Sequence, residues 1–125
     1  MKNIAIASSD SALDQAIMFL LQDNYHIFNI QLNDQLANSL QNKSIDLLIV
    51  DLKSINPESM GLIQIIKRLQ PNLPVVMLYD LKMPEKFVVD FFQMADLMLR
   101  KPFSNQQLIN AVSTFLNGSQ QLGNV

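Results

Sequence analysis

The side chains in this chain that are equipped for chemistry are carboxylates, lysines and hydroxyls. There is no Cys and only one His, His26, so a disulfide, a thiolate nucleophile, a Cys-ligated zinc and an imidazole cluster are all excluded. The remaining reactive groups recur just after short apolar runs. Ser8, Ser9 and Asp10 follow the first, Asp51 follows Leu47–Val50, Tyr79 and Asp80 end the run that starts at Val75, and Lys101 follows Leu97–Leu99. A carboxylate, an ammonium and hydroxyls gathered in one place can hold a hard cation, accept a phosphoryl group, or neutralise one another. The question is what scaffold would bring them together.

Short apolar runs alternate five times with segments of helical period, which is the pattern of an α/β domain. Asn3–Ala7 reads as a strand, and Asp10 or Ser11 can cap a helix carrying Leu13, Ile17, Leu20 and Leu21 on one stripe. His26–Ile30 reads as the second strand, and a second helix runs from Asn33 to about Gln41 with Leu36 and Leu40 four apart. The run from Leu47 to Asp51 suits a central strand buried on both faces. Asn56-Pro57-Glu58 opens a third helix, which Pro71 and Pro74 end. Val75–Tyr79 is the fourth strand. Pro84-Glu85 then opens a fourth helix with Phe87, Val88, Phe91 and Phe92, and Leu97–Leu99 is a brief fifth strand. Ser104 and Gln107 form a capping box for a last helix bearing Leu108, Val112, Phe115 and Leu116, with Gly118 as its stop. The expected fold is a five-stranded parallel sheet in the order 2-1-3-4-5 with helices on both faces. In such sheets ligands sit at the carboxyl ends of the strands, where the reactive residues fall. The domain spans residues 1–118, and 119–125 reads as a polar tail or the start of a linker.

Composition narrows the function. The chain has 125 residues, 49% hydrophobic and 16% charged, with a formal charge of −2, which describes one soluble domain with room for a core. Its nine basic residues are scattered, whereas phosphate neutralisation needs clustered Lys and Arg, so direct nucleic-acid binding is not expected. No apolar run is long enough to span a bilayer or serve as a signal peptide, so neither membrane insertion nor export is expected and the location is expected to be cytoplasmic. The seven Met residues read mainly as core filler, and His26 as an edge or surface residue.

Asp46-Leu47-Leu48-Ile49-Val50-Asp51, Pro74-Val75-Val76-Met77-Leu78 and Ala95 through Lys101-Pro102-Phe103 together resemble three stretches of the response-regulator receiver family of two-component signalling. The resemblance covers essentially the whole chain and implies the flavodoxin-like receiver sandwich. It implies that Asp51 stands at the phosphoacceptor position, Lys101 at the lysine position, and Tyr79 and Met98 at the two switch positions. It also marks departures. In a working receiver two acidic residues after the first strand help the acceptor aspartate hold Mg²⁺, and here Ser8 and Ser9 occupy those places. Asp51 with two hydroxyls is a much poorer site for Mg²⁺ than three carboxylates. Asp10 lies one position late and Asp80 is a second substitute ligand. Tyr79 replaces a small hydroxyl residue, Met98 an aromatic, and Ser54, Ile55, Ser59 and Met94 stand where a Met, a Pro and two Gly are usual.

The resulting expectation is a receiver-like domain, not an enzyme, that is degenerate at its phosphorylation site, needs no cofactor or metal, and acts by protein–protein contact. It would be the regulatory module of a transcriptional regulator or a stand-alone adaptor, with a protein partner or its own output domain. The apolar excess of the fourth helix, at Phe87, Val88, Phe91 and Phe92, marks an interaction face. A homodimer through the fourth helix, fifth strand and fifth helix is the corresponding expectation. The alternative is a phosphorylatable receiver with Asp51 as acceptor, a rearranged Mg²⁺ site using Asp10 or Asp80, and a histidine kinase as partner. A flavodoxin-like nucleotide binder is disfavoured, because none of the three Gly (Gly61, Gly118, Gly123) lies in the first strand-to-helix turn.

Overall fold

The computed structural model describes residues 1–31, 44–54, 57–80 and 82–116, with residues 54, 57–60, 87 and 88 described in backbone only. The second expected helix, the stop at Gly118 and the 119–125 tail lie outside the described residues. Five strands, β1 (Lys2–Ala7), β2 (Tyr25–Ile30), β3 (Leu47–Asp51), β4 (Val75–Tyr79) and β5 (Leu97–Arg100), form one sheet in the order β2-β1-β3-β4-β5. Every neighbouring pair is parallel. The described helices are α1 (Ser11–Leu21), α2 (Pro57–Leu69), α3 (Glu85–Phe92) and α4 (Asn105–Leu116), and a single 3-10 turn (Leu52–Ser54) follows β3.

The order puts β3 in the centre, which explains its unbroken apolar run. Alternate residues feed two cores. Leu48 and Val50 face one with Ala5, Ala7, Val75, Met77, Ile63, Ile66 and Phe91, while Leu47 and Ile49 face the other with Ile4, Ile6, Val76, Leu78, Ile17, Leu21, Leu108 and Val112. The sheet therefore separates an α2–α3 layer from an α1–α4 layer. All five residues of β3 are buried.

The helix starts follow from local chemistry. Asp10, in extended backbone, accepts a hydrogen bond from the Leu13 N–H at 3.1 Å and caps α1. At α4, the Ser104 hydroxyl accepts from the Gln107 N–H (3.1 Å) while the Gln107 side chain accepts from the Ser104 N–H (2.8 Å), so the expected capping box is formed in full. Pro84 immediately precedes α3 with no side-chain cap.

One expectation needs correction. Phe91, assigned to the interaction face, is completely buried in the α2–α3 core. One stripe of the short α3 helix is enough to cover that core, and Phe91 occupies it; Val89 and Phe92 are the exposed side chains, at 50% and 61%. The reading of Met as mainly core filler fits Met77, which is fully buried, and Met83, Met94 and Met98, which pack against the same core, while Met1 and Met18 are exposed. His26 is exposed on β2, an edge of the sheet. The two adjacent phenylalanines should separate sharply in urea denaturation. Phe91→Ala is expected to cost about 3–5 kcal/mol, whereas Phe92→Ala should change stability by less than about 1 kcal/mol.

Candidate functional site

Asp51 ends β3 at the carboxyl edge of the sheet and is 1% exposed. A buried carboxylate needs a partner. It has one: the Lys101 ammonium donates to its Oδ1 at 2.8 Å, and the Lys53 N–H reaches the same oxygen at 3.2 Å. Lys101 is placed by the chain after β5, where its own N–H donates to the Tyr79 carbonyl at 2.6 Å and its peptide bond to Pro102 is cis. Because β4 lies between β3 and β5, the lysine reaches across the end of β4 to meet Asp51.

Around this pair the other sequence-nominated residues have separate employment. The Ser8 hydroxyl accepts from the Asp10 N–H at 3.0 Å, shaping the turn between β1 and α1. Asp10 is exposed and spends Oδ1 on the α1 cap. Asp80 accepts from the Lys82 N–H at 2.9 Å, organising the turn after β4. Ser9 is exposed. Tyr79 is half-buried and packs with Met98 against the α2–α3 core, so its ring belongs to the hydrophobic layer. Phe87 and Val88 are described only in backbone. Among the described residues, no group of three or more acidic or imidazole side chains gathers to hold a metal ion.

Sequence reasoning missed Asp14. It sits in the first turn of α1, accepts a hydrogen bond from the Asn29 side-chain amide of β2, and has a second carboxylate oxygen buried without a hydrogen-bond partner. Burial pushes its pKa above the ordinary carboxyl value. Ser8 and Asn29 pull it back, while the charges of Asp10 and then Asp51 push it further up. The signal was present in the sequence: Asp14 precedes the buried Ile17 and Leu21 by three and seven positions, which puts a carboxylate on the apolar stripe of its helix.

Comparison with solved structures identifies the fold. A response regulator receiver domain protein from Clostridium thermocellum superposes with a TM-score of 0.78 at 26% identity, covering 98% of this chain and 99% of that one. A CheY-like response regulator receiver domain protein from Methanospirillum hungatei gives 0.80 at 20% identity, over 97% and 98% of the two chains. NtrX from Brucella abortus, solved in complex with ADP, gives 0.77 at 20% identity and matches 99% of this chain to 28% of its own. No family model matches the sequence, and no curated protein does. The fold is that of the receiver domains of two-component response regulators.

Two measurements probe the site's electrostatics. Lys101→Met strands a buried carboxylate and should cost about 3–5 kcal/mol, most of it recovered in the Asp51→Asn/Lys101→Met double variant; a denaturant double-mutant cycle reads the coupling. Asp14 should set a pH dependence. Between the ordinary carboxyl value of 3.8 and its higher native value, the folded chain holds a proton that the unfolded chain releases, so this group's contribution to stability falls as pH rises through that window. Asp14→Asn should abolish that fall, read as the melting temperature of both proteins across the acidic range.

Proposed function

We propose that this chain is a signalling module of a two-component response regulator that is not switched by phosphorylation of Asp51 and works through protein–protein contact. The observation that carries this reading is the buried Asp51–Lys101 pair, a single carboxylate already neutralised by a single ammonium, with hydroxyls where a receiver needs two more carboxylates. Mg²⁺ dehydrates reluctantly and favours anionic oxygen. Asp51 offers one such side chain, and the nearest substitutes in sequence, Asp10 and Asp80, are engaged in their own turns. A site of this composition has little with which to neutralise an incoming phosphoryl group.

The same geometry suits a scaffold. Tyr79 and Met98, at the switch positions, are packed into one apolar layer and so favour a single arrangement. Val89 and Phe92 of α3, beside β5, offer an apolar surface to a protein partner or to an output domain. A regulatory role within a transcriptional regulator is compatible with the match to a quarter or so of the longer NtrX chain. On this reading the module is not an enzyme, needs no cofactor, and requires no histidine kinase.

Incubation with acetyl phosphate or beryllofluoride, each with Mg²⁺, tests the reading directly. Intact-mass analysis and amide NMR spectra should show no change that depends on Asp51. Stoichiometric modification lost in Asp51→Asn would instead establish a phosphorylatable receiver, and sensitivity of that modification to Asp10→Asn, Asp14→Asn or Asp80→Asn would identify the substitute metal ligand.

A further inference from the structure

Methionine is unevenly placed in this chain. Met77 is fully buried in the α2–α3 core, and Met83, Met94 and Met98 are partly buried against that same core. Among the described residues the opposite core, under α1 and α4, holds no methionine and is filled chiefly by Leu, Ile and Val. The contrast falls even within β5, where Leu97 and Leu99 face the α1–α4 core and Met98 the other. Leu and Met exchange in cores at little cost, so packing alone does not call for a thioether.

The three partly buried methionines bracket one helix. Met83 lies two residues before α3, Met94 two residues after it, and Met98 on β5, the strand that α3 leads into. Both flanking residues sit in ordered turns: the Met83 N–H donates to the Asp80 carbonyl at 3.3 Å, and the Met94 N–H to the Phe91 carbonyl at 2.9 Å. Met98 pairs in register with the buried Met77. The helix itself has few fastenings. It is eight residues long, no side chain caps its start, and Phe91 is its one fully buried side chain among those described.

We propose that Met83, Met94 and Met98 form an oxidation site that controls the docking of α3 on the sheet, with hydrogen peroxide as the oxidant. The thioether sulfur attacks a peroxide oxygen; the S–O bond forms as the O–O bond breaks, the sulfur gives up two electrons, and the second oxygen leaves as water. The chain has no Cys, so no thiol of its own competes for the oxidant, and partial burial leaves these three sulfurs within reach of a small peroxide. The product is a polar sulfoxide, whose oxygen needs a donor that an apolar layer does not supply. Three such changes around a short helix with one deep anchor release it from the core. Met77, sealed inside, is protected while the fold holds. The modification is independent of the state of Asp51; its effect on partner binding rests on the role proposed above for Val89 and Phe92, which α3 carries.

Hydrogen peroxide treatment of the full chain, read by peptide mapping and amide hydrogen exchange, tests this without any partner. Sulfoxide should appear at Met83, Met94 and Met98 before Met77, and exchange across α3 should rise by about tenfold or more while β1 and β3 keep their protection. Methionine sulfoxide reductases with a dithiol as reductant should restore the starting mass and exchange. In the Met83→Leu/Met94→Leu/Met98→Leu variant, checked for fold by circular dichroism, peroxide should leave α3 at its untreated exchange rate although Met1 and Met18 still oxidise. Each single Leu variant should blunt the response. The proposal is overturned if the three methionines resist peroxide as Met77 does, or if their oxidation leaves α3 exchange as it was. It fails equally if all strands lose protection together, or if the triple Leu variant responds as the natural chain does.

Discussion

A full negative charge sits at the end of the most buried strand in the molecule, and much of the architecture follows from having to neutralise it there. β3 is covered on both faces and flanked on both sides, so Asp51 has no route to solvent through its own strand. The compensating ammonium cannot come from an adjacent strand without placing a cation inside the core. It comes from Lys101, just beyond β5, where a long aliphatic stem can run over the end of β4 and deliver only its tip. That in turn requires β4 and β5 to end level, which the pairing of Tyr79 with Arg100 and the bond from the Lys101 N–H to the Tyr79 carbonyl secure. The ion pair, the register of the last two strands and the entry into α4 are thus one linked constraint.

Its consequence is a site whose charges nearly cancel. Three carboxylates around one lysine would leave a net negative pocket that a divalent cation could fill; on the proposed reading, one carboxylate paired with one lysine leaves little for a cation to do. The residual negative field falls on Asp14, which feels both Asp10 and Asp51 and has lost part of its hydration. A carboxylate raised in this way is a weaker metal ligand at acidic pH, because a proton competes for the same oxygen. Ser8 bridges the two regions, since its hydroxyl both shapes the turn before α1 and lies against Asp14.

Features governed by local rules were readable from the residues alone. The caps at Asp10 and Ser104–Gln107, the two-faced burial of Leu47–Val50 and the strand order all follow from short-range chemistry and the handedness of crossovers. The Asp51–Lys101 contact was readable only because Asp51 ends one strand and Lys101 directly follows another strand of the same sheet. Errors arose where a helix had more apolar residues than one stripe requires. Around α3 the sequence does not say which of Phe91 and Phe92 turns inward, because that depends on how the helix is rotated against Ile63 and Met77. Asp14 escaped notice for the converse reason. Its spacing from Ile17 and Leu21 puts it on the apolar stripe, but the sequence does not show that the neighbouring strand supplies Asn29 as its partner.

The sheet also divides the charge of the described helices. The α2–α3 layer carries lysines, an arginine and carboxylates, whereas the α1–α4 layer is almost free of them. Solubility alone would favour charge on both. A layer left nearly uncharged while exposing Phe19 is therefore a departure that the fold does not require, since Ile17 and Leu21 already bury the inner stripe of α1. On the proposed reading, with the central carboxylate paired to Lys101, the signal such a module carries resides in which surface meets which partner. The two layers differ in the property that decides this: one can discriminate partners by charge, and the other only by shape.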